Sequence, residues 1–202
     1  MEKYNAKLAV PARQRGKVAP IRMSHIVINT HPSNYENMVD WYMKVFEAEI
    51  AYANDDVAFL GFDEEHHRIA IASVPHVVKP RDKSWGLNHF AFTYEDLEQL
   101  LFTFERLKSK GIEPYWPILH GPTTSLYYKD PDLNRVELLC DNLFGEELLE
   151  FFTSGAFDEN FMGIIFDPDE MCAQLKAGVP KEELTSRDKL PEGKTPWDMY
   201  RE

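Results

Sequence analysis

The spacing of apolar residues predicts a strand, a helix and three further strands in the first part of the chain. Segments 23–29, 49–53, 57–62 and 67–74 are short runs rich in β-branched and apolar residues, as in strands. Ser33 and Glu36 form an S-x-x-E capping box, which predicts the start of a helix. Its apolar residues follow the spacing of one buried helix face: Met38, Trp41, Tyr42, Val45 and Phe46.

The same β-α-β-β-β order restarts after a linker at 75–86. Strands are predicted at 87–93, 113–119, 125–129 and 135–140, with a helix that carries Leu97, Leu100, Leu101 and Phe104 and stops at Gly111. The letters repeat as well, since Ser24-His25-Ile26-Val27-Ile28 corresponds to Asn88-His89-Phe90-Ala91-Phe92. A duplicated βαβββ module of the α+β class is therefore expected.

Three regions follow from this pattern. Residues 1–20 lack periodicity and form an N-terminal arm, 21–142 form the duplicated domain with modules 21–80 and 86–142, and 143–202 form a C-terminal tail. Within the tail we expect short helices at 146–152 and 169–177, and an extended segment at 161–166. The last twenty residues are polar and contain prolines, and they are expected to wrap the core or a neighbouring subunit.

Charge and cysteine content narrow the function classes. The net charge of −12 argues against nucleic-acid binding, and no apolar stretch is long enough to span a membrane. Two cysteines cannot build a disulfide scaffold, and the polar N-terminus carries no secretory signal, so we expect a cytoplasmic protein. The arm is basic and the tail has 14 acids against 6 bases, which would suit pairing between subunits of a homo-oligomer.

Two histidines and one glutamate are the candidate metal ligands. His25 and His89 occupy equivalent positions on the first strand of each module, and Glu137 lies on the closing strand of the second. Two histidines and a carboxylate with open positions form the facial triad of non-haem Fe(II) oxygenases. Hydrogen-bonded core histidines and an exposed strand glutamate are the alternative interpretation of the same letters.

Residues 21–142 resemble the vicinal oxygen chelate superfamily, whose paired modules form an open barrel around a metal. Within it, the segment from Tyr127 to Glu137 resembles the closing hairpin of type I extradiol dioxygenases of the catechol 2,3-dioxygenase and biphenyl-2,3-diol dioxygenase group. The resemblance implies that His25, His89 and Glu137 bind the metal. Leu133 stands where that family usually has a glycine, which affects the turn rather than a ligand.

The same resemblance implies three further site residues. His67 matches the family's acid–base histidine, Tyr127 its active-site tyrosine ten residues before the glutamate, and His120 a histidine upstream of that tyrosine, at a shorter spacing than usual. The implied reaction is ring cleavage of a catechol by O2 at Fe(II), with Mn(II) as the alternative metal. Phe59, Tyr115 and Trp116 are candidate pocket walls.

Other members of the superfamily suggest alternatives. Glyoxalase I uses a fourth ligand, a glutamate that would correspond here to Ser73, so this chain lacks that ligand. Fosfomycin-resistance transferases use two histidines and a glutamate with Mn(II) but lack the additional histidine and tyrosine pattern. Metal-free drug-binding proteins with the same barrel remain a non-enzymatic alternative.

Overall fold

A computed structural model describes residues 8–78 and 86–202. They divide into two compact units. The first-module unit comprises the described residues of 16–89 together with the turn 129–135, and the second-module unit comprises 8–15, 90–128 and 136–202. Most of the predicted 75–86 linker lies outside the described residues, as does the start of the arm. Within the described residues, no helix is long and apolar enough to cross a membrane.

The first-module unit has the predicted β-α-β-β-β order. Strand β1 (Ile26–Thr30) is followed by helix α1 (Tyr35–Phe46) and by strands β2 (Glu49–Ala53), β3 (Val57–Gly61) and β4 (Ile69–Ser73). The sheet order is β1-β4-β3-β2, and β1 runs parallel to β4. Four of the five apolar residues predicted for the helix face are buried: Met38, Trp41, Tyr42 and Val45.

The capping box predicted at the start of α1 is wrong. A 3-10 turn at Pro32–Asn34 precedes the helix, and the Ser33 hydroxyl and amide both face Nδ1 of His31, at 2.9 and 3.3 Å. Pro32, with its fixed φ, starts this turn, so Ser33 lies inside it rather than at the helix cap. The helix begins at Tyr35 without a side-chain cap.

A buried aspartate holds the turn 129–135 against α1. Asp130 is 2 % exposed; its carboxylate accepts hydrogen bonds from the amides of Asp132 and Asn134, from the side chain of Asn134, and from the hydroxyl of Tyr42 at 2.9 Å. Asp132 in turn accepts a hydrogen bond from the hydroxyl of Thr30 at 2.5 Å. Four donors compensate for the cost of burying the Asp130 carboxylate.

The second-module unit repeats the order and adds the tail. Its elements are β5 (Phe90–Thr93), α2 (Leu97–Lys108), β6 (Trp116–Leu119), β7 (Thr123–Lys129), β8 (Arg135–Asp141), α3 (Gly145–Thr153), α4 (Ala156–Glu159), β9 (Ile164–Ile165), α5 (Pro168–Lys176) and α6 (Lys181–Leu184), with a 3-10 turn at Pro196–Met199. The sheet order is β5-β8-β7-β6-β9, and β5 runs parallel to β8. The α+β class with paired modules is confirmed.

The tail contributes a strand to the second sheet. The predicted extended segment 161–166 forms regular structure only at β9, which pairs antiparallel with β6. Cys140 and Cys172 are both buried free thiols, and burial raises the pKa of each to about 11. The two cysteines are therefore unreactive parts of the interior.

The turn residue that departs from the family pattern has the backbone conformation of a glycine. Leu133 has φ +70° and an exposed side chain. An L-residue in this region costs about 1–2 kcal/mol, whereas glycine adopts it without steric cost but loses more backbone entropy on folding. We predict that Leu133→Gly raises the free energy of unfolding by about 0.5–1 kcal/mol. Urea denaturation tests this, with Leu133→Ala as the control that keeps the strain. A glycine variant less stable than the alanine variant would contradict the prediction.

Candidate active site

The parallel pairing of β1 and β4 brings two predicted site histidines together. The amide of Ile26 donates to the carbonyl of Arg68 at 3.0 Å, so the residues just before both strands lie side by side. The ring of His25 is 4.5 Å from that of His67, and Phe59 of β3 stacks on His67 at 4.5 Å. His66 contacts His67 edge-on at 4.4 Å. His25 thus directly precedes β1 and His67 lies two residues before β4, so neither histidine lies within its strand.

His67 is a buried histidine whose hydrogen bonding is incomplete. It is only 7 % exposed, and no described residue hydrogen-bonds its Nδ1 atom. Burial lowers the pKa of His67, and the nearby rings of His25 and His66 lower it further, against an opposing effect of Glu65. The lowered pKa favours the neutral imidazole, and its buried Nδ1 atom has no hydrogen-bond partner in the part of the chain that the structure describes.

An arginine that sequence reasoning missed fixes the chain leading to His25. Arg68 donates to the carbonyls of Met23 and Ser24 at 2.8 and 2.9 Å, and its Nε atom pairs with Asp63 at 2.8 Å. These bonds hold residues 23–24 beside the start of β4. Only the charge of Arg68 was visible in the sequence, because its partners lie five and about 45 residues away.

His89 is oriented by its neighbour in the chain. Its Nδ1 atom lies 2.7 Å from the side-chain oxygen of Asn88. Because that amide oxygen can only accept a hydrogen bond, Nδ1 carries the proton and donates it to the bond. Nε2 then carries the lone pair that a metal would need. His89 precedes Ala91 by two residues, and Ala91 is the register partner of Glu137.

In the second-module unit, one tyrosine hydroxyl meets two of the other predicted site residues. Tyr127 is 4 % exposed and Glu137 is 5 % exposed. The Tyr127 hydroxyl is hydrogen-bonded to the Glu137 carboxylate and lies 3.2 Å from Nε2 of His120. Burial raises the pKa of Tyr127 well above its usual value, and the Glu137 charge raises it further. This hydroxyl therefore stays protonated, and its single proton faces two neighbouring groups, Glu137 and His120.

The three aromatic residues predicted to line a pocket contact different site residues. Trp116 lies opposite Tyr127 in the β6–β7 register and stacks on it at 4.6 Å, buried in a cluster with Ile118 and Met199. Tyr115 meets Tyr127 edge-on at 6.4 Å. Trp116 thus supports Tyr127 from the interior, while Phe59 lies on the face of His67.

Neither unit alone contains the whole predicted ligand set. His25 and His89 belong to the first-module unit and Glu137 to the second-module unit. In residues 8–78 and 86–202, no group of three or more His, Cys, Asp or Glu side chains is arranged to hold a metal ion. Ser73, the position of the fourth glyoxalase ligand, ends β4, so that strand offers no carboxylate there.

Comparison with known proteins identifies the family. Residues 22–138 match the model of the Glyoxalase/Bleomycin resistance protein/Dioxygenase superfamily. The chain belongs to this superfamily. Among solved structures, the genomically encoded fosfomycin resistance protein FosX from Listeria monocytogenes is similar with a TM-score of 0.49 and 26 % identity, covering 65 % of this chain and 99 % of that one.

Two curated relatives of this superfamily member are dioxygenases. Biphenyl-2,3-diol 1,2-dioxygenase 2 of Rhodococcus globerulus is 42 % identical over 82 % of this chain and 87 % of its own length. Biphenyl-2,3-diol 1,2-dioxygenase 3 of the same organism is 40 % identical over 82 % of this chain and 88 % of its own length. The matches therefore extend beyond the duplicated modules into the arm or tail.

Two adjacent buried tyrosines give a paired test of the site's hydrogen bonding. Tyr127→Phe removes the donor to buried Glu137, and we predict a loss of about 1–3 kcal/mol in the free energy of unfolding. The hydroxyl of Tyr128 is buried without a hydrogen-bond partner in the described chain, so Tyr128→Phe is expected to leave stability equal or higher. Chemical denaturation of both variants measures the difference, and equal losses would contradict the assignment.

Proposed function

We propose that this protein cleaves a catechol-type aromatic diol next to its two hydroxyls, using O2 at a non-haem Fe(II) centre. The two relatives named biphenyl-2,3-diol 1,2-dioxygenase support this class of substrate. The observation that carries the proposal is the Tyr127 hydroxyl placed between Glu137 and His120. A protonated phenolic hydroxyl is suited to hydrogen-bonding the oxygen of a second phenol, and a neighbouring imidazole is suited to accepting the proton that this phenol releases.

The metal would be held by His25, His89 and Glu137. Two imidazoles and one carboxylate match the donor set of non-haem Fe(II), and Mn(II) suits the same donors. Glu137 is a buried carboxylate on the central part of the sheet, and Asn88 orients His89 so that Nε2 can ligate. When bound, the ion would lower the pKa of the diol hydroxyls and hold diol and O2 together.

The chain's own groups would handle the protons. His67, neutral and buried under Phe59, would give and take a proton during ring cleavage. Tyr127 and His120 would hydrogen-bond a diol oxygen, with Trp116 holding the Tyr127 ring in place. The Phe59 ring would exclude water from His67.

A turnover assay tests the role of His67. With Fe(II)-loaded protein we predict oxygen uptake with catechol and 2,3-dihydroxybiphenyl, a yellow ring-cleavage product from each, and loss of both signals on chelation. His67→Phe should retain iron but lower turnover by about 10²–10⁴-fold, because the acid–base group is gone. The exposed His76 offers a control, and His76→Phe should keep full turnover. Iron-loaded protein inert towards every catechol would overturn the proposal.

Metal analysis tests the ligand set. Glu137→Gln keeps the size of the side chain but removes its charge, so we predict a loss of Fe(II) affinity of at least about 100-fold. Glu49→Gln on exposed β2 is the matched control and should bind Fe(II) normally. If wild-type protein purified without oxygen binds no divalent metal, the metal-free binding-protein alternative is favoured instead.

We further propose that the protein assembles into a homo-oligomer. Opposite charges of the basic arm and the acidic tail support a homo-oligomer in which the two segments pair between subunits. We also propose a cytoplasmic location, which the two buried free cysteines support.

A further inference from the structure

Both ring nitrogens of His120 lie within hydrogen-bond distance of a polar group in the second-module unit. Nδ1 is hydrogen-bonded to the backbone carbonyl of Met162, a residue of the tail, and Nε2 lies 3.2 Å from the Tyr127 hydroxyl. A carbonyl can only accept, so a neutral His120 must carry its proton on Nδ1. Nε2 is then the acceptor that faces Tyr127.

The opposite tautomer would be disfavoured at Nδ1. It would place the Nδ1 lone pair against the Met162 carbonyl oxygen, and two acceptors at that distance repel each other. The contact with Met162 therefore decides which nitrogen of His120 can take a proton. That contact in turn depends on how firmly the tail holds Met162.

A buried asparagine holds the Met162 carbonyl in position. Asn160 is 3 % exposed, and its side-chain oxygen accepts from the amides of Met162 and Gly163 at 3.1 and 3.0 Å. Its side-chain amide donates to the carbonyl of Gly163 at 2.9 Å. We refer to residues 160–163 as the tail loop. Its backbone is fixed from within by three bonds to a single side chain.

The tail loop lies too close to His120 for any residue but glycine at position 163. Gly163 has φ +116°, and a Cβ atom there would be 2.3 Å from the carbonyl oxygen of Leu119 and 2.9 Å from Cα of His120. Both contacts are with backbone, which cannot move aside cheaply. A side chain at 163 would therefore push the tail loop away from His120.

An arginine ties the tail loop to the turn that carries His120. Arg187 donates to the carbonyl of His120 at 3.0 Å, to that of Asn160 at 2.6 Å and to that of Ala156 at 2.9 Å. Its guanidinium also lies over the ring of Phe151, 4.8 Å from the centroid. The planar fork of five donors is what allows one side chain to bind three carbonyls.

We propose that the tail loop, clamped by Arg187, positions His120 in the Nδ1-protonated tautomer and so makes Nε2 the proton acceptor for the Tyr127 hydroxyl. Gly163 and Arg187 are positioning residues, because they act through His120. The structural part of this proposal stands on its own contacts, and its effect on turnover rests on the proposed function. The single Tyr127 proton then has two acceptors, Glu137 and His120. A hydrogen bond from the Tyr127 hydroxyl to Nε2 leaves Nδ1 bonded to Met162.

Nitrogen-15 NMR of the full chain without added metal tests the tautomer. The His120 signals are assigned by their loss in His120→Gln. We expect coupling patterns and shifts of a ring protonated at Nδ1 and unprotonated at Nε2 in the wild type. A wild-type ring protonated at Nε2 would overturn the proposal. This result needs neither a variant of Gly163 or Arg187 nor a measurement of turnover.

Two variants and a matched control test the role of the tail loop. Gly163→Ala and Arg187→Ala are each expected to give a mixture of tautomers and to lower kcat by about tenfold or more, with a smaller change in KM. Gly155 also has a positive φ, +88°, but a Cβ atom there would meet no atom within 4 Å. Gly155→Ala is therefore a control that introduces backbone strain without a clash. It should keep the wild-type tautomer and kcat. Unchanged His120 spectra in folded Gly163→Ala and Arg187→Ala would refute the proposal. If no variant or wild type cleaves a diol, the spectra still decide it.

Discussion

The parallel pairing of the first and last strand in each module is the constraint on which the site depends. In the first-module unit it places the starts of β1 and β4 together, and with them His25 and His67. In the second-module unit the same pairing sets Ala91 opposite Glu137, two residues after His89. A one-residue change of register would turn each of these side chains to the other face of its sheet. Duplication of one supersecondary unit therefore duplicates the positions available for ligands.

Two buried polar side chains, Asp130 and His67, differ in how completely they are hydrogen-bonded. Asp130 is surrounded by donors, including the hydroxyl of Tyr42, and its role is to hold the closing turn on α1. His67, by contrast, is buried with Nδ1 directed at no described hydrogen-bond partner. A protein tolerates such an atom at a cost of about 1–3 kcal/mol, which is reasonable where a ligand supplies the missing partner.

Much of the fold was predictable because it is encoded locally. The apolar spacing located α1 and α2 and the turn letters separated the strands, while the glycine-like φ of Leu133 agrees with the family pattern at that turn. The capping box failed because Pro32 begins a tighter turn that already uses Ser33. The family resemblance pointed to Tyr127, which stays a prediction, but nothing in the sequence pointed to the three carbonyl contacts of Arg187, since these partners lie 27 to 67 residues away.

The tail shows why a duplicated module alone is not the whole site. Histidine tautomers are set by whatever the second nitrogen meets, and for His120 that group is a backbone carbonyl 42 residues further along the chain. A backbone carbonyl leaves no signature in the sequence, since every residue has one. What the sequence does show is the glycine that permits its approach and the arginine that clamps it, and both gain meaning only from the fold. Without this carbonyl, the proton placement on a histidine at position 120 would be decided by another group.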